Sequence, residues 1–401
     1  MSNLKYWLWL TSLRQPRNPE KRELLLRFGG PEGVYYAGAE ELALAGLSRS
    51  AAETLGDKSL EAAERILENC DRLGLRILTI EDAEYPQRLK SVYDPPLLLY
   101  VRGRLPRFDD ECAVAVVGTR TSTPYGELCA EKLSFSMARQ GALILSGLAL
   151  GIDAAAHRGA LRAGGLTVGV IAGGHDIVYP PGNRYLYEDV AAAGAILSEY
   201  PPGTEHRGSN FPVRNRIISG LSVAALVVEA PVRSGALITA HTALEQGRDV
   251  FAVPGPIDAP MSAGCIQLLR EGAGIAADSA DILLHYESQY PGKLHLQPVE
   301  APEHTGYQAR AEETKAREEV RETAAEEEKR VLRLSEESGL TDDQIHILQA
   351  LQGRTLQADE LIEMTQIPAR RILSALTLLQ LEGHVREESG KRFTATVELI
   401  P

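Results

Sequence analysis

The chain has 401 residues and a mass of 43.6 kDa, with 44% apolar and 24% charged residues, which describes a globular protein of more than one domain and excludes a disordered or fibrous one. Fifty-five acidic against 42 basic residues give a formal charge of −13. That balance excludes a basic coat protein that holds nucleic acid by bulk charge, so any polyanion has to be held in a local pocket.

The apolar stretch Tyr6–Leu13 is short, lacks a small-residue cleavage site and runs into Arg14, Pro16 and Arg17. It reads as a helix rather than a signal peptide or a membrane span. Further helices are predicted over Lys21–Phe28, Ala39–Ala45, Ser50–Leu55 and Ser59–Leu73. Residues 1–105 therefore read as an N-terminal helical domain, with the apolar stretch Leu97–Val101 leading into the next part.

Between residues 106 and 290 the pattern changes. Short apolar runs recur at Ala113–Val117, Leu143–Leu145, Val168–Ile171, Ala195–Leu197, Ala224–Val228 and Val250–Val253, each followed by turn residues and a helical pattern. Most are continuous rather than alternating, so both faces are covered, which predicts an α/β domain with a mainly parallel sheet. Residues 291–340 are a charged linker, in which Glu312–Arg333 has the composition of a solvated helix. Residues 341–401 regain periodicity. Thr341 with Gln344 caps a first helix, Ala358–Met364 forms a second, and Pro368 opens a third that runs to Leu381. The turn Glu388-Ser389-Gly390 and the run Phe393–Val397 complete a hairpin, so this part reads as a winged helix. The four cysteines, Cys70, Cys112, Cys129 and Cys265, are scattered without a C-x-x-C, which suits a reducing cytoplasm and predicts neither disulfides nor a cysteine-based metal site.

Small-residue loops gather at the C-terminal ends of the predicted strands, the edge where open α/β sheets bind ligands. They are Gly118-Thr119-Arg120, Ser146-Gly147-Leu148-Ala149, Ala172-Gly173-Gly174-His175-Asp176 and Ser234-Gly235. Asp153 and His157 share a helix face, and the expectation is that Asp153 caps the helix while the two side chains hold each other. The most informative stretch is Ser209-Asn210-Phe211-Pro212-Val213-Arg214-Asn215-Arg216. An aromatic ring beside arginines at a helix start can stack a base and hold a phosphate. Arg214 and Arg216 are two apart and face different ways, so one meets the ligand and the other pairs inside the protein.

These stretches, with F-P-x-R-N-R-I-I-S-G-L-S, S-G-x-L-I-T-A and V-F-A-V-P-G in order, resemble the DNA-processing protein A (DprA/Smf) family across about residues 112–280. The resemblance implies an extended Rossmann-like core flanked by an N-terminal helical domain, like a sterile alpha motif or helix-hairpin-helix, and a C-terminal winged helix. It implies a non-enzymatic protein without cofactor or metal. Such a protein binds single-stranded DNA, protects incoming strands in natural transformation, helps load the RecA recombinase and dimerises through its Rossmann-like domain. Carried over by motif, the DNA-binding residues are Gly118, Thr119, Arg120, Ser146, Gly147, Phe211, Arg214, Asn215, Arg216, Ser234 and Gly235. Some members carry a lysine three residues before the phenylalanine; that place is Gly208 here, and Arg207 beside it is the substitute. Relatives often read Pro-Gly-x-Gly where this chain reads Arg14-Gln15-Pro16-Arg17, so residues 1–105 are not expected to bind DNA through backbone amides.

Two other classes compete. Phosphoribohydrolase-like Rossmann enzymes resemble P-G-G-x-G-T-x-x-E at the fourth loop, but Thr242 stands here in the place of the general acid–base glutamate. A transcription regulator led by the winged helix would need duplex contact from an acidic segment whose cations are Arg370, Arg371, Lys391 and Arg392.

Overall fold

The computed structural model describes residues 3–296, 330–333, 340–388 and 392–400. Its contacts divide the chain into two units, Met1–Glu303 and His304–Pro401.

The first unit is built on a nine-stranded sheet: β1 (Arg76–Thr79), β2 (Leu98–Gly103), β3 (Ala113–Val117), β4 (Leu143–Ser146), β5 (Thr167–Ile171), β6 (Ala195–Ser198), β7 (Ala224–Val227), β8 (Asp249–Ala252) and β9 (Gly274–Ile275). Their order is β1-β2-β6-β5-β4-β3-β7-β8-β9. From β3 the chain winds through β4 and β5 to β6 on one side, then returns to lay β7, β8 and β9 on the other. The reversal falls between β3 and β7, which pair in parallel with Val114 opposite Ala224 and Val117 opposite Val227. All six predicted runs are strands, and the pairings from β6 through β9 are parallel.

The continuous apolar character of these strands has a simple cause. Successive side chains point to opposite faces, and both faces are buried. Val114 and Val116 of β3 pack in one cluster with Ala130 and Met137 of the helix Pro124–Arg139 and Ala155 of the helix Ile152–Arg162. Ala113, Ala115 and Val117 pack in the other cluster, with Ile217 of the helix Asn210–Leu221 and Ala240 of the helix Gly235–Glu245.

The sheet starts earlier than residue 106. β1 and β2 pair antiparallel with each other, and β2 pairs antiparallel with β6, so the stretch Leu97–Val101 contributes an edge of the sheet itself. Ahead of them lie helices Leu4–Ser12, Asn18–Phe28, Pro31–Tyr36, Ala39–Ala43, Arg49–Gly56 and Glu61–Leu73. Trp7, Leu8 and Leu10 belong to the same apolar cluster as Leu99 of β2 and Leu197 of β6. The N-terminal helices also reach the sheet through polar contacts: Asn18 Nδ2 donates to Glu199 Oε1 at 2.9 Å, just past the end of β6.

The second unit contains helices Asp342–Leu351, Ala358–Thr365 and Ala369–Leu381 and a three-stranded antiparallel sheet of β11 (Thr355–Gln357), β12 (Val385–Glu388) and β13 (Arg392–Ala395) in the order β11-β13-β12. Thr341 caps the first helix through the predicted box with Gln344. Leu348, Leu361, Leu376 and Phe393 meet in its core. This is the expected winged helix. Arg330–Arg333 is not the end of a helix; it forms β10, parallel to β14 (Val397–Ile400). The rest of the predicted linker helix and the wing residues Ser389, Gly390 and Lys391 lie outside the described residues. Among the described residues no helix is long and apolar enough to cross a membrane, and all four cysteines are free.

Candidate nucleic-acid interface

A recess of about 310 Å³ opens at the C-terminal ends of β3 and β7, where the winding of the sheet reverses. That is the switch point at which open α/β sheets place their ligands, because the loops from two neighbouring strands diverge there and leave a gap.

Its floor is the turn after β3. Gly118 has no room for a side chain, since a Cβ there would lie 2.5 Å from the Ile152 side chain and 2.9 Å from the Glu229 carbonyl. Thr119 N–H donates to the Glu229 carbonyl at 2.8 Å. The Glu229 carboxylate is buried and accepts from the Thr123 amide (2.9 Å) and hydroxyl (2.5 Å), which locks the turn against β7. Thr123 also caps the helix Pro124–Arg139, accepting from Gly126 N–H. Arg120 is left exposed at the rim, with its guanidinium 4.2 Å from the centroid of the Phe211 ring.

Opposite lies the start of the helix Asn210–Leu221, carrying Phe211, Arg214 and Asn215 into the recess. Arg214 is only 4% exposed. Its Nη1 donates to the Val170 carbonyl at 2.8 Å, while its Nε has no partner. Burial brings this guanidinium down to about 10, opposed by Asp153, so it keeps its charge at neutral pH. Asp153 accepts from the amides of Gly147 (3.1 Å) and Ala149 (3.4 Å). Burial pushes the Asp153 carboxyl up, against the pull of Arg214 and of those amides. Ser234 caps the third helix, Gly235–Glu245, by accepting from Ala236 N–H at 3.2 Å. Two helix N-termini thus open on the recess beside three arginines, an arrangement that favours an anion.

Eight of the sequence-derived site residues line this recess: Gly118, Thr119, Arg120, Phe211, Arg214, Asn215, Ser234 and Gly235. Four do not. Ser146 is buried and donates to the Val116 carbonyl at 2.6 Å. Gly147 lies beneath Arg214. Arg207 is exposed and meets Glu205 at 3.4 Å. Arg216 points away from the recess and is held by Glu199 at 2.6 Å and Asp94 at 3.2 Å, because its position on the helix faces the N-terminal layer. Of the two arginines, Arg214 is the one at the recess. His157 does not hold Asp153 either; its Nδ1 lies 2.7 Å from the Thr167 hydroxyl. Among the lining residues outside the motif-derived set, the one cation is Arg233, exposed one place before the Ser234 cap.

The fold and recess define a Rossmann-like α/β protein with an arginine-lined, aromatic-bearing recess at the switch point of its sheet. A profile of the DNA recombination-mediator protein A family matches residues 76–287, and one of the DprA winged helix domain matches residues 321–391. The chain belongs to this family. It is 42% identical over 222 residues to protein Smf of Synechocystis, spanning 55% of this chain but only 56% of that relative. It is 43% identical over 218 residues to the DNA processing protein DprA of Bacillus subtilis, covering 54% of this chain and 73% of the relative. Its fold matches the crystal structure of DNA processing protein A from Streptococcus pneumoniae with a TM-score of 0.62 and 32% identity, over 73% of this chain and 99% of the other.

Proposed function

We propose that this protein is a non-enzymatic mediator that holds single-stranded DNA in the recess at the switch point. In this reading it protects incoming strands during natural transformation and passes them to the RecA recombinase, acting in the cytoplasm as a homodimer through its Rossmann-like domain. The observation that carries the reading is Phe211 flanked by Arg120 and Arg214, 4.2 and 5.8 Å from its ring centroid. An aromatic face offers stacking to any base, and the cations beside it meet the backbone phosphates, which suits sequence-tolerant binding of an unpaired strand. The carboxylate that lines the recess, Asp153, is bonded to backbone amides rather than poised for proton transfer.

The winged helix serves as a docking module in this reading. Arg371, on its third helix, is tied to Asp343 by two contacts of 2.7 Å, which leaves that helix with little free positive charge for a groove.

The test is fluorescence anisotropy of labelled poly-thymidine with the full chain, run beside a matched duplex and a salt titration. Tight, salt-sensitive binding that prefers the single strand is expected. Absent or duplex-preferring binding would overturn the reading. Recombinase loading is checked separately, by whether the protein speeds filament assembly on DNA coated with single-strand-binding protein.

A further inference from the structure

The loop that follows β5 carries Ala172-Gly173-Gly174-His175-Asp176 and then Tyr179, and none of these residues lines the recess. They build a different object. Tyr179 stacks on His206 with ring centroids 5.4 Å apart and planes 22° from parallel. The same Tyr179 ring lies 5.9 Å from Phe211, tilted by 51°. A row of four side chains therefore runs outward from the recess rim: Arg120, Phe211, Tyr179 and His206.

This row is rigidly backed. His206 Nε2 donates to the Ile177 carbonyl at 2.8 Å. Gly173 leaves the space for the imidazole, because a Cβ there would lie 2.7 Å from the His206 ring. The two loops are laced together by Gly174 N–H to the Thr204 carbonyl at 2.8 Å and by Gly203 N–H to the Asp176 carboxylate at 2.8 Å. Asn183 Nδ2 anchors the far end of the loop, donating to the Leu148 and Ala149 carbonyls. Burial also lowers the His206 imidazole below its usual range, so it backs Tyr179 as a neutral ring. Despite this framework Tyr179 is 42% exposed. A tyrosine held by a stacked imidazole on one side, tilted away from Phe211 on the other and still exposed between them is a surface prepared for another flat ring, at little ordering cost when that ring arrives.

We infer that Tyr179, backed by His206, is a second base-stacking platform, taking the nucleobase that neighbours the one held over Phe211 in a single strand. The inference rests on the single-strand reading of the recess given above. Spacing decides the kind of strand. The two rings are 5.9 Å apart and tilted by 51°, against about 3.4 Å between parallel stacked bases in a duplex. Two consecutive bases engage both rings only when the strand is unstacked and splayed, which duplex DNA cannot do without melting. The platform therefore adds preference for single strands as well as affinity, and it sets a minimum ligand length longer than the recess alone requires. Stacking on either ring is tolerant of base identity.

The test compares wild type, Tyr179→Ala, Tyr179→Phe, His206→Ala and Phe211→Ala in the full chain, using anisotropy with thymidine oligonucleotides of graded length. Tyr179→Ala is expected to weaken long oligonucleotides by roughly 5- to 150-fold, with no change for ones short enough to fill only the recess. Tyr179→Phe keeps the affinity, and His206→Ala gives a smaller loss through a looser platform. In parallel, an oligonucleotide bearing 5-iododeoxyuridine is photo-crosslinked to the wild-type protein and the adduct mapped by mass spectrometry, a readout that needs no variant to fold. Adducts on both Phe211 and Tyr179 support the proposal. If Phe211→Ala weakens binding while Tyr179→Ala does not and no adduct forms on Tyr179, the second platform is wrong and the recess stands. If Tyr179→Phe loses as much as Tyr179→Ala, the hydroxyl acts and stacking is wrong. If the wild type binds no single strand, the failure belongs to the function proposed above.

Discussion

The guanidinium of Arg214 rests on the α-carbon of Gly147: a Cβ added at Gly147 would lie 1.6 Å from Arg214 Nη1. The glycine that follows β4 thus acts by leaving room for a cation carried on a helix far along the chain. Substituting Gly147→Ala is expected to push Arg214 out of its bond to the Val170 carbonyl and out of the recess. A charge-assisted contact to phosphate is worth about 1.5–3 kcal/mol, so single-strand affinity should fall by roughly tenfold or more. Overpacking should cost the fold about 1–3 kcal/mol as well. Anisotropy and a urea melt on the same variant read the two effects, and unchanged affinity would show that Arg214 does not hold the strand.

Arg120 and Arg216 should separate binding from folding. Arg120 is exposed at the rim, so Arg120→Ala is expected to weaken DNA binding with little change in stability. Arg216 is held between Glu199 and Asp94, and Arg216→Ala takes the charge partner from the half-buried Glu199 carboxylate, leaving it only the Asn18 amide. Breaking such a pair from one side costs about 3–5 kcal/mol, so that variant should melt well below wild type. A stable Arg216→Ala protein that has lost DNA affinity would reverse this assignment.

Salt dependence counts the phosphates. Arg120, Arg214 and Arg233 are the arginines that line the recess. With three phosphates neutralised on a single strand, log affinity should fall against log salt with a slope of about −2. Arg233→Ala should make that slope shallower by about 0.7 while leaving stability unchanged. A much steeper wild-type slope would place most of the contact elsewhere.

Acid should unfold the first unit through its buried histidines. The Thr167 hydroxyl donates to the Ile144 carbonyl, so it accepts from His157 Nδ1–H and leaves His157 Nε2 buried with no partner. Burial, reinforced by Arg214 and Arg158, lowers His157 to about 3, and burial lowers His175 to about 4. Both imidazoles are neutral when folded and protonate near 6.5 when unfolded. The unfolded chain therefore binds more protons below that value, and stability falls as pH drops from about 6.5 toward 4. Each histidine contributes a slope of up to about 1.4 kcal/mol per pH unit. His157→Asn keeps a donor toward Thr167 but cannot titrate, so urea melts between pH 7 and 4.5 should show a smaller loss than wild type, the remainder coming from His175 and His206.

Much of this was readable in the amino-acid order, and the parts that were not have physical reasons. The strands β3 to β8 announce themselves because burial on both faces demands unbroken apolar runs. β1, Arg76-Ile77-Leu78-Thr79, is an edge strand with an arginine and a threonine at its ends and so shows no unbroken apolar run, and β9 has only two residues. The motif loops pointed to the switch point, and eight of their residues meet there. Sequence could not choose between Arg214 and Arg216, because the choice depends on Glu199 and Asp94, which reach Arg216 from other elements. Ser146 and Gly147 entered the expected site through the family motif; in the fold Ser146 bonds a carbonyl and Gly147 makes room for an arginine. The row from Phe211 to Tyr179 and His206 joins two loops with no shared pattern, so only the fold brings it into view.

The apolar cluster that contains Trp7, Leu8 and Leu10 also contains Ala115, Val117 and Ile217. The family match begins at residue 76, which invites cutting the chain there to obtain a minimal DNA-binding fragment. Such a cut would strip part of the packing from β2 and take Asn18 from Glu199, the carboxylate that holds Arg216 on the helix that presents Phe211. The first seventy-five residues are therefore part of the foundation on which that helix stands, and a fragment without them would report on a damaged site rather than a simplified one.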